Sequence, residues 1–508
     1  MTDYARPIYI SLHVDWDLDD SYTQELTTAG GTRVIDAAGQ LRLAPPESAI
    51  FSPRGTADRC TITLDNSDGR YSSLLTTAAL YADLAGGGAY HVPMYLTVNV
   101  VDGAPANYHR VFTGVIKIPQ ETTPTGKQTA TVTLDCRSRD EALLSQRLST
   151  SQASFAAWVD DPPNEAEVMA AFLTAAGLTG GDYALDTGLF AIPFPWLDDE
   201  SPIEACWQLA AACGGRFYVD PDGIFRYEHM AHWLTSPHDT SQDTLTRAKF
   251  AGLQPRYEDQ ELYTGVTVRT TPRSIGAQAT LWEAKTVYVV PPNTTGSAYV
   301  TVTAELSGPA YALSGPTYAA VTSGGSNLAG SVTCTATHYA QRVVMRFQNS
   351  HATQAALITG LALAGQLVEA DEGIAREEIS GAAFWTGRAG RARALTGNRW
   401  IQTQTQADVL ATFLRDRHET PRLFFQISDY RGGPALRLGD RLTINDSEIM
   451  SAGRAAFVTA INWRFGGGRF RQDLELVDAT DLYEFAASPG YFVVGTDELG
   501  TSGKVVFY

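Results

Sequence analysis

His229, His232 and His238, followed by Asp239, are the residues of this chain best suited to bind a metal, in the run RYEHMAHWLTSPHD. Imidazole nitrogens and a carboxylate are the donor set of zinc sites. Two histidines three apart would share a face if the segment were helical. The segment follows a strand, however, and has no regular spacing for a third ligand, so loop or packing histidines are the preferred reading and no metal is assigned. Asp15, Asp17, Asp19 and Asp20 in VDWDLDD resemble the opening of a calcium loop. Asp20 stands where an EF-hand needs glycine, and no glutamate stands at position twelve. Asp65, Asn66 and Asp68 have the side chains of a calcium site as well, although a turn that satisfies its own backbone accounts for them. Asp220 and Asp222 belong to a hairpin turn. No HExxH, GxSxG, GxxxxGK[ST] or GxGxxG motif occurs. No carboxylate pair is set apart as in a glycosidase. These residues point to no catalytic group and no cofactor.

The remaining chemistry is that of packing and charge. Phe194, Pro195 and Trp196 precede a capped helix and read as a hydrophobic staple onto Ile203 and Trp207, with an exposed sugar-stacking platform as the alternative. The five cysteines are odd in number. Cys206 and Cys213 sit seven apart on an expected helix, about 10 Å along its axis, beyond the roughly 7 Å that a disulfide spans; reduced, buried thiols are expected. With 38 Lys+Arg against 56 Asp+Glu the net charge is −18. Such a chain is repelled by nucleic acid, and no basic block overrides the repulsion, so no sequence-specific nucleic-acid binding is expected. The run AALITGLALAGQLV at 355–368 is shorter than the about 20 residues that span a bilayer. MTDYARPIYISLHVDWD lacks the basic start and apolar core of a signal peptide. A soluble chain is expected.

The elements that position these residues follow from periodicity. At 508 residues, rich in glycine, the chain is expected to form several domains. Residues 1–145 read as a β-domain, with IYISLHVDW, YLTVNVVDG, HRVFTGVIKI and QTATVTLDC as strands and SRDEALLSQRL as a helix leading out. Residues 146–255 read as a small α+β domain. Asn164 and Glu167 form a capping box before a helix that stops at Gly177, and Ser201 and Glu204 form a second, with Pro202 at the first helical position. GRFYVDPDGIFRYEH is a hairpin with an Asp-Pro-Asp-Gly turn. Residues 256–395 return to strands separated by loops such as GPTYAAVTSGGSN and read as the start of a third domain carrying an inserted β-sandwich at about 280–390. Residues 396–485 carry one helix, with Leu410, Phe413 and Leu414 on one side, and a closing β-unit. Residues 486–508 read as a C-terminal arm. The strands around Arg110–Ile116 and Ala456–Ile461 are alike, each followed by a loop and a second strand. Duplication of a barrel and chance agreement between hairpins both explain this.

In CTITLDNSDGRYSS, residues 60–73, apolar Ile62 and Leu64 alternate with polar neighbours, then Asp65, Asn66, Ser67, Asp68 and Gly69 break the strand and Tyr71 plugs the turn. This run resembles a signature in tail proteins of tailed bacteriophages. Taken with the FTGVI strand holding Phe112 and Gly114, the GGRFYVDPDG hairpin, the LGDRL strand and the GGGRF hairpin in that order, the chain resembles the central hub family at the tip of phage tails and baseplates. The resemblance implies a mainly β, multidomain fold: two tube-protein-like β-barrels, a small α+β domain and an inserted β-sandwich. It implies a non-enzymatic hub subunit, a homotrimer in which three chains present six barrels to a sixfold tube. The partners implied are the chain itself and the distal tail ring, tape measure and tail fibre proteins. The place implied is the tail tip of a virion assembled in the host bacterial cytoplasm, with the hub opening for DNA passage. Asp65, Asn66, Asp68, Gly69, Tyr71, Phe112 and Gly114 would then serve fold integrity. The acidic balance would suit either plain solubility or a negatively charged lumen. A hexameric distal tail ring protein and a carbohydrate-binding tail adhesin are the competing readings.

Overall fold

The computed structural model describes residues 8–27, 30–43, 58–84, 91–101, 104–117, 119–122, 130–258, 262–294, 296 and 298–479; the expected C-terminal arm lies outside them. Strands form where side chains alternate. In Thr131–Ser138, Val132, Leu134 and Cys136 are buried while Thr131, Thr133, Asp135 and Arg137 face outward. Strands of this kind build one 14-stranded sheet. Its path runs Gly252–Glu258, Arg422–Tyr430, Arg469–Asp478, Arg454–Gly466, Val34–Arg42, Arg59–Asp65, Thr131–Ser138, His109–Ile116, Val92–Asn99, Tyr9–Val14 and Thr23–Gln24. The sheet therefore has two halves, one from residues 9–138 and one from residues 243–478. The first half curls back on itself, with the Glu25 amide donating to Leu12 O at 2.9 Å and the Arg33 amide to Glu25 O at 3.3 Å. Both halves share one apolar core, from Leu12, Ile62 and Phe112 to Phe425, Phe457 and Leu476.

The halves meet along a seam between Val34–Arg42 and Arg454–Gly466. The second strand is 13 residues long and serves two neighbours in turn. Its first part pairs with Arg441–Ile444, through Arg441↔Phe457 to Ile444↔Arg454. Its second part pairs with the N-terminal half, through Ala460↔Arg42 to Gly466↔Asp36. The change of partner falls at a bulge between Val458 and Ala460, as expected where a strand must bend. There Thr459 O accepts the Leu43 amide at 2.9 Å, and Thr459 Oγ1 donates to Glu475 O at 3.1 Å. Gly39 faces Trp463 across the seam, and a Cβ at Gly39 would stand 2.3 Å from the indole Cζ2.

A second core holds the helices. Val168, Phe172, Ile203 and Leu209 pack with Phe225, Tyr227, Val266, Val268, Leu410, Phe413 and Leu414. The helix Glu165–Ala175 has the full capping box of Asn164 and Glu167, and Gly177 follows it at φ 94°. The helix Pro202–Ala212 is capped by Ser201 accepting from the Glu204 amide. The membership differs from the expected division. The helix Gln404–His418 and the sheet of Ala375–Ile379, Gly265–Arg269 and Ala392–Leu395 belong to this α+β body. The strands Asp243–Leu245 and Gly252–Glu258 belong to the large sheet. Periodicity shows which side of an element is apolar, not which core that side enters.

The sandwich occupies 273–370, earlier than the 280–390 expected. One sheet holds Arg273–Glu283, Ala356–Ala370, Tyr288–Val290 and Ala310–Val321; the other holds Val300–Glu305, Arg342–Asn349 and Val332–His338. Val302, Val343, Met345, Phe347, Ile358 and Leu363 fill the space between. The segment expected as the loop GPTYAAVTSGGSN is largely strand, and register shifts between Tyr311 and Ala319 accommodate Pro316. The greasy run at 355–368 is a strand of 15 residues with alternating burial. No helix among the described residues is long and apolar enough to cross a membrane.

Candidate assembly site

The turn after Arg59–Asp65 is tied to the N-terminal half of the sheet by a buried polar knot. Gly69 takes φ 69°, and its amide donates to Asn66 O at 2.9 Å. Asn66 is buried, its Oδ1 accepting from the Tyr71 amide at 3.0 Å and its Nδ2 donating to Glu121 Oε1 at 3.2 Å. Asp68 receives both guanidinium nitrogens of Arg33, at 3.0 and 2.6 Å. The Arg33 hydrogen bond holds the Asp68 carboxyl below its ordinary range. Tyr71 donates its hydroxyl to Glu25 Oε2 at 2.5 Å. Glu25, 1% exposed, also accepts Trp16 Nε1 at 2.6 Å and pairs with Arg70 at 3.2 Å. Burial, reinforced by this carboxylate, pushes the Tyr71 hydroxyl well above its ordinary range. Glu25, Arg33 and Trp16 were not singled out in the sequence. Their one signal is that the strand-turn motif leaves a charged aspartate and a tyrosine hydroxyl needing distant partners.

Phe112 is buried in the same core. Gly114 pairs with Ser138, where a Cβ would meet the carbonyl of Arg137 at 1.9 Å, so only glycine allows the two strands to approach. The Asp-Pro-Asp-Gly turn is a docking wedge as well as a hairpin turn. Asp220 Oδ1 accepts the amides of Asp222 and Ile224, each at 2.9 Å. The tip then presents Pro221 O to Thr113 Oγ1 at 2.7 Å and Gly223 O to Arg139 at 2.9 Å. The α+β body is thereby fixed to the N-terminal half.

The histidine candidates are drawn to separate partners. His232 Nδ1 lies 2.8 Å from Asp186 Oδ2, and its Nε2 lies 3.6 Å from Glu228 Oε1. His238 lies tilted beside His232, with ring centroids 5.0 Å apart. Asp239 contributes its backbone oxygen to Arg441. Among the described residues, three potential ligands converge within 4.8 Å at Asp15, Asp17 and Asp19 only. Asp15 is buried there and accepts the amides of Asp19 and Asp20, each at 3.1 Å, which closes the loop on itself. All five cysteines are free. Cys60 and Cys136 stand directly opposite each other on neighbouring strands, and burial raises both thiols well above the usual range.

Trp196 is 5% exposed, which removes the sugar platform. It packs not as a staple on Ile203 but in a cluster with Phe155, Ala340 and Val368, between Arg273 at 4.4 Å and Arg399 at 4.9 Å. With Arg342 donating to Ser149 Oγ at 2.7 Å and Tyr311 to Asp160 at 2.7 Å, it bolts the sandwich to the α+β body.

The outer face of the large sheet is polar across the seam. Register places Gln254 beside Gln426, Gln426 beside Glu475, Asn462 between Asp473 and Gln40, Gln40 beside Arg59 and Arg59 beside Arg137. Arg42–Glu475 at 2.7 Å and Arg137–Asp135 at 3.1 Å give this face mixed charge rather than an acidic one. Gly252–Glu258 ends the sheet path on one side, and near the other the exposed strand Gln120–Thr122 branches from Thr131–Ser138, its one strand partner among the described residues.

No protein-family profile matches the chain, and no curated protein is found similar to it. Solved structures are. A tail protein from Neisseria meningitidis MC58 shares 9% identity, with 93% of this chain and 96% of that chain covered and a TM-score of 0.47. The 43 kDa tail protein of prophage MuSo2 from Shewanella oneidensis shares 10%, covering 94% and 99%, with a TM-score of 0.47. The E. coli c3393 protein shares 10%, covering 89% and 74%, with a TM-score of 0.38; it is described as a type VI secretion component structurally similar to T4 bacteriophage tail proteins gp27 and gp5. Tail proteins, one of them from a prophage, and a type VI secretion component are thus among the solved structures that this mainly β, multi-sheet chain is similar to.

Proposed function

We propose that this chain is a structural, non-enzymatic subunit of the hub at the distal end of a phage tail, assembled as a homotrimer in the host bacterial cytoplasm. The observation that carries the reading is the continuous run of strands across the seam. One polypeptide supplies two curled halves, one polar face and two open edges. An open edge is a template for another chain, and rings close by repeating one interface around an axis. Joining Gly252–Glu258 of one copy to Gln120–Thr122 of the next extends the sheet and, with three copies, closes it with the polar face inward. Mixed charge on that face suits a channel through which DNA slides without being held. The hub closes the tube, organises the distal ring, tape measure and fibre proteins, and opens for passage.

Native mass spectrometry of the full chain tests this. Three copies support the hub; six copies would assign the chain to a distal tail ring. Gln120 pairs inward with Thr133, so the outward donor of this strand is Glu121; Glu121→Pro removes it and should give a folded monomer. A Glu121→Pro trimer as stable as the parent would refute the edge assignment. A monomeric full chain that binds host-surface glycan would favour the adhesin.

A further inference from the structure

The strongest unassigned feature is the junction between the α+β body and the C-terminal half of the large sheet. Trp233, 2% exposed, leaves the short helical turn His232–Leu234 and stacks on Phe457 at 4.7 Å. Gly439 gives it room: a Cβ there would meet Trp233 Nε1 at 2.8 Å. Behind Trp233 the Arg216 guanidinium lies 3.5 Å from the ring centre, and Trp233 Nε1 donates to Glu228 Oε2 at 3.1 Å. Three imidazoles, of His229, His232 and His238, come from the same segment as this wedge. Two carboxylates face them, Glu228 from the hairpin and Asp186 from the loop after Tyr183–Leu185. His238 makes a backbone hydrogen bond with Gly439, in a loop whose ionisable residues are Arg431, Arg437 and Asp440, with Arg441 opening the next strand. Asp239 beside it turns its backbone oxygen to Arg441.

We propose that this junction is an acid-sensitive clamp, in which protonation of His238 against His232 and Arg216 releases the Trp233 wedge from the C-terminal half. The charges set the direction. Burial opposes a charge on His232, yet the Asp186 hydrogen bond and Glu228 outweigh it and hold the imidazole above its ordinary range. Burial, then the charge of His232, holds His238 below it. Burial does the same to His229, although Asp186 opposes. Asp186 and Glu228 thus favour a charge on His232, beside the fixed charge of Arg216. As the pH falls below the ordinary histidine range of about 6.5, the unfolded or undocked segment takes up protons that the docked one refuses. Docking is lost as the pH drops. His232 works the other way, its contribution being lost as the pH rises, so acid loosening rests on His238 and His229. The inference stands apart from the tail-hub reading, since it concerns how one chain holds its own parts.

Hydrogen exchange of the full chain, corrected for the intrinsic pH dependence of exchange, reads this directly. Between about pH 7.5 and 5, exchange in 233–239 and 436–442 should rise severalfold. Exchange in Arg59–Asp65 and Thr131–Ser138 should stay level. His238→Gln keeps a hydrogen-bonding side chain without the titration and should flatten the profile. An acid response in His238→Gln equal to that of the parent, or no response in the parent, overturns the proposal. Should His238→Gln fail to fold, His232→Gln removes the neighbouring charge and must weaken the response; an unchanged response then overturns it.

Discussion

The seam makes a quantitative prediction through Gly39 and Trp463. Gly39→Ala adds a methyl group whose carbon would stand 2.3 Å from Trp463 Cζ2 and 2.5 Å from Cε2. No real contact is that short, and the indole is boxed in, 2% exposed and stacked on Phe470 at 6.1 Å. Gly39 is not in the left-handed region, so steric overlap is the whole cost. Overpacking of a closed core costs about 1–3 kcal/mol, which lowers the melting temperature of a unit of this size by about 2–12 °C. Trp463→Ala removes the indole and leaves a cavity, at about 3–5 kcal/mol. Independent effects would sum to about 4–8 kcal/mol in the double variant. In the double variant, however, the new methyl enters space the indole has left. Its loss should therefore not exceed that of Trp463→Ala alone, a coupling of about 1–3 kcal/mol. Calorimetry or urea unfolding of the four proteins measures the cycle. Additive losses would show that Gly39 and Trp463 do not meet and would refute the seam as described.

Gly114→Ala should be the more damaging substitution, because its Cβ meets a backbone carbonyl that cannot move aside; loss of soluble, cooperatively melting protein is the expected readout. Gly69→Val should cost roughly 1–2 kcal/mol through left-handed strain alone, since the space beside Gly69 holds only Leu75 Cδ2 at 3.4 Å; Gly69→Asn should recover part of it, and an unchanged melting temperature for valine refutes the assignment. Glu25→Ala leaves the buried Trp16 and Tyr71 donors without their acceptor, and should destabilise by about 2–4 kcal/mol in urea unfolding. Burial raises the Asp140 carboxyl to about 6, against a hydrogen bond from Ser138. The folded chain thus keeps a proton that the unfolded chain releases, and stability falls as the pH rises from about 4 to 6. Asp140→Asn should gain roughly 1–3 kcal/mol at pH 8 and nothing at pH 4, read as the difference in melting.

What the sequence displayed was local. The strand of Ile62 and Leu64, the Asp65–Tyr71 turn, the Asn164 capping box and the Asp-Pro-Asp-Gly hairpin each rest on neighbours within a few residues, and each stands in the structure. What it hid was partnership over distance. Nothing near Glu25 announces Tyr71 or Trp16, and nothing in RLFFQISDY shows that Arg422–Tyr430 lies beside Gly252–Glu258. The helix Gln404–His418 displayed its apolar side plainly, yet that side enters a core built more than 190 residues earlier, where Gln406 donates to Ala212 O at 3.1 Å. Phe194 and Trp196 announced aromatic packing, but not that the cavity they fill is closed by the sandwich. The partners of the histidines were hidden for the same reason. Asp186, which takes His232, is 46 residues away and carries no spacing signal.

The bulge at Thr459 also sets an order of events during synthesis. Val34–Arg42 leaves the ribosome early, but the strand that covers its free side ends at Gly466. At about 5–20 residues per second the edge waits roughly 20–85 s for its partner. During that interval the N-terminal half carries an uncovered strand holding Ile35, Ala37 and Leu41, the kind of surface that joins wrong neighbours. The newborn chain thus depends on whatever guards that edge, a chaperone or the speed of translation itself. A fragment ending before residue 454 would keep the edge open and aggregate, although every strand of its own half of the sheet had been made.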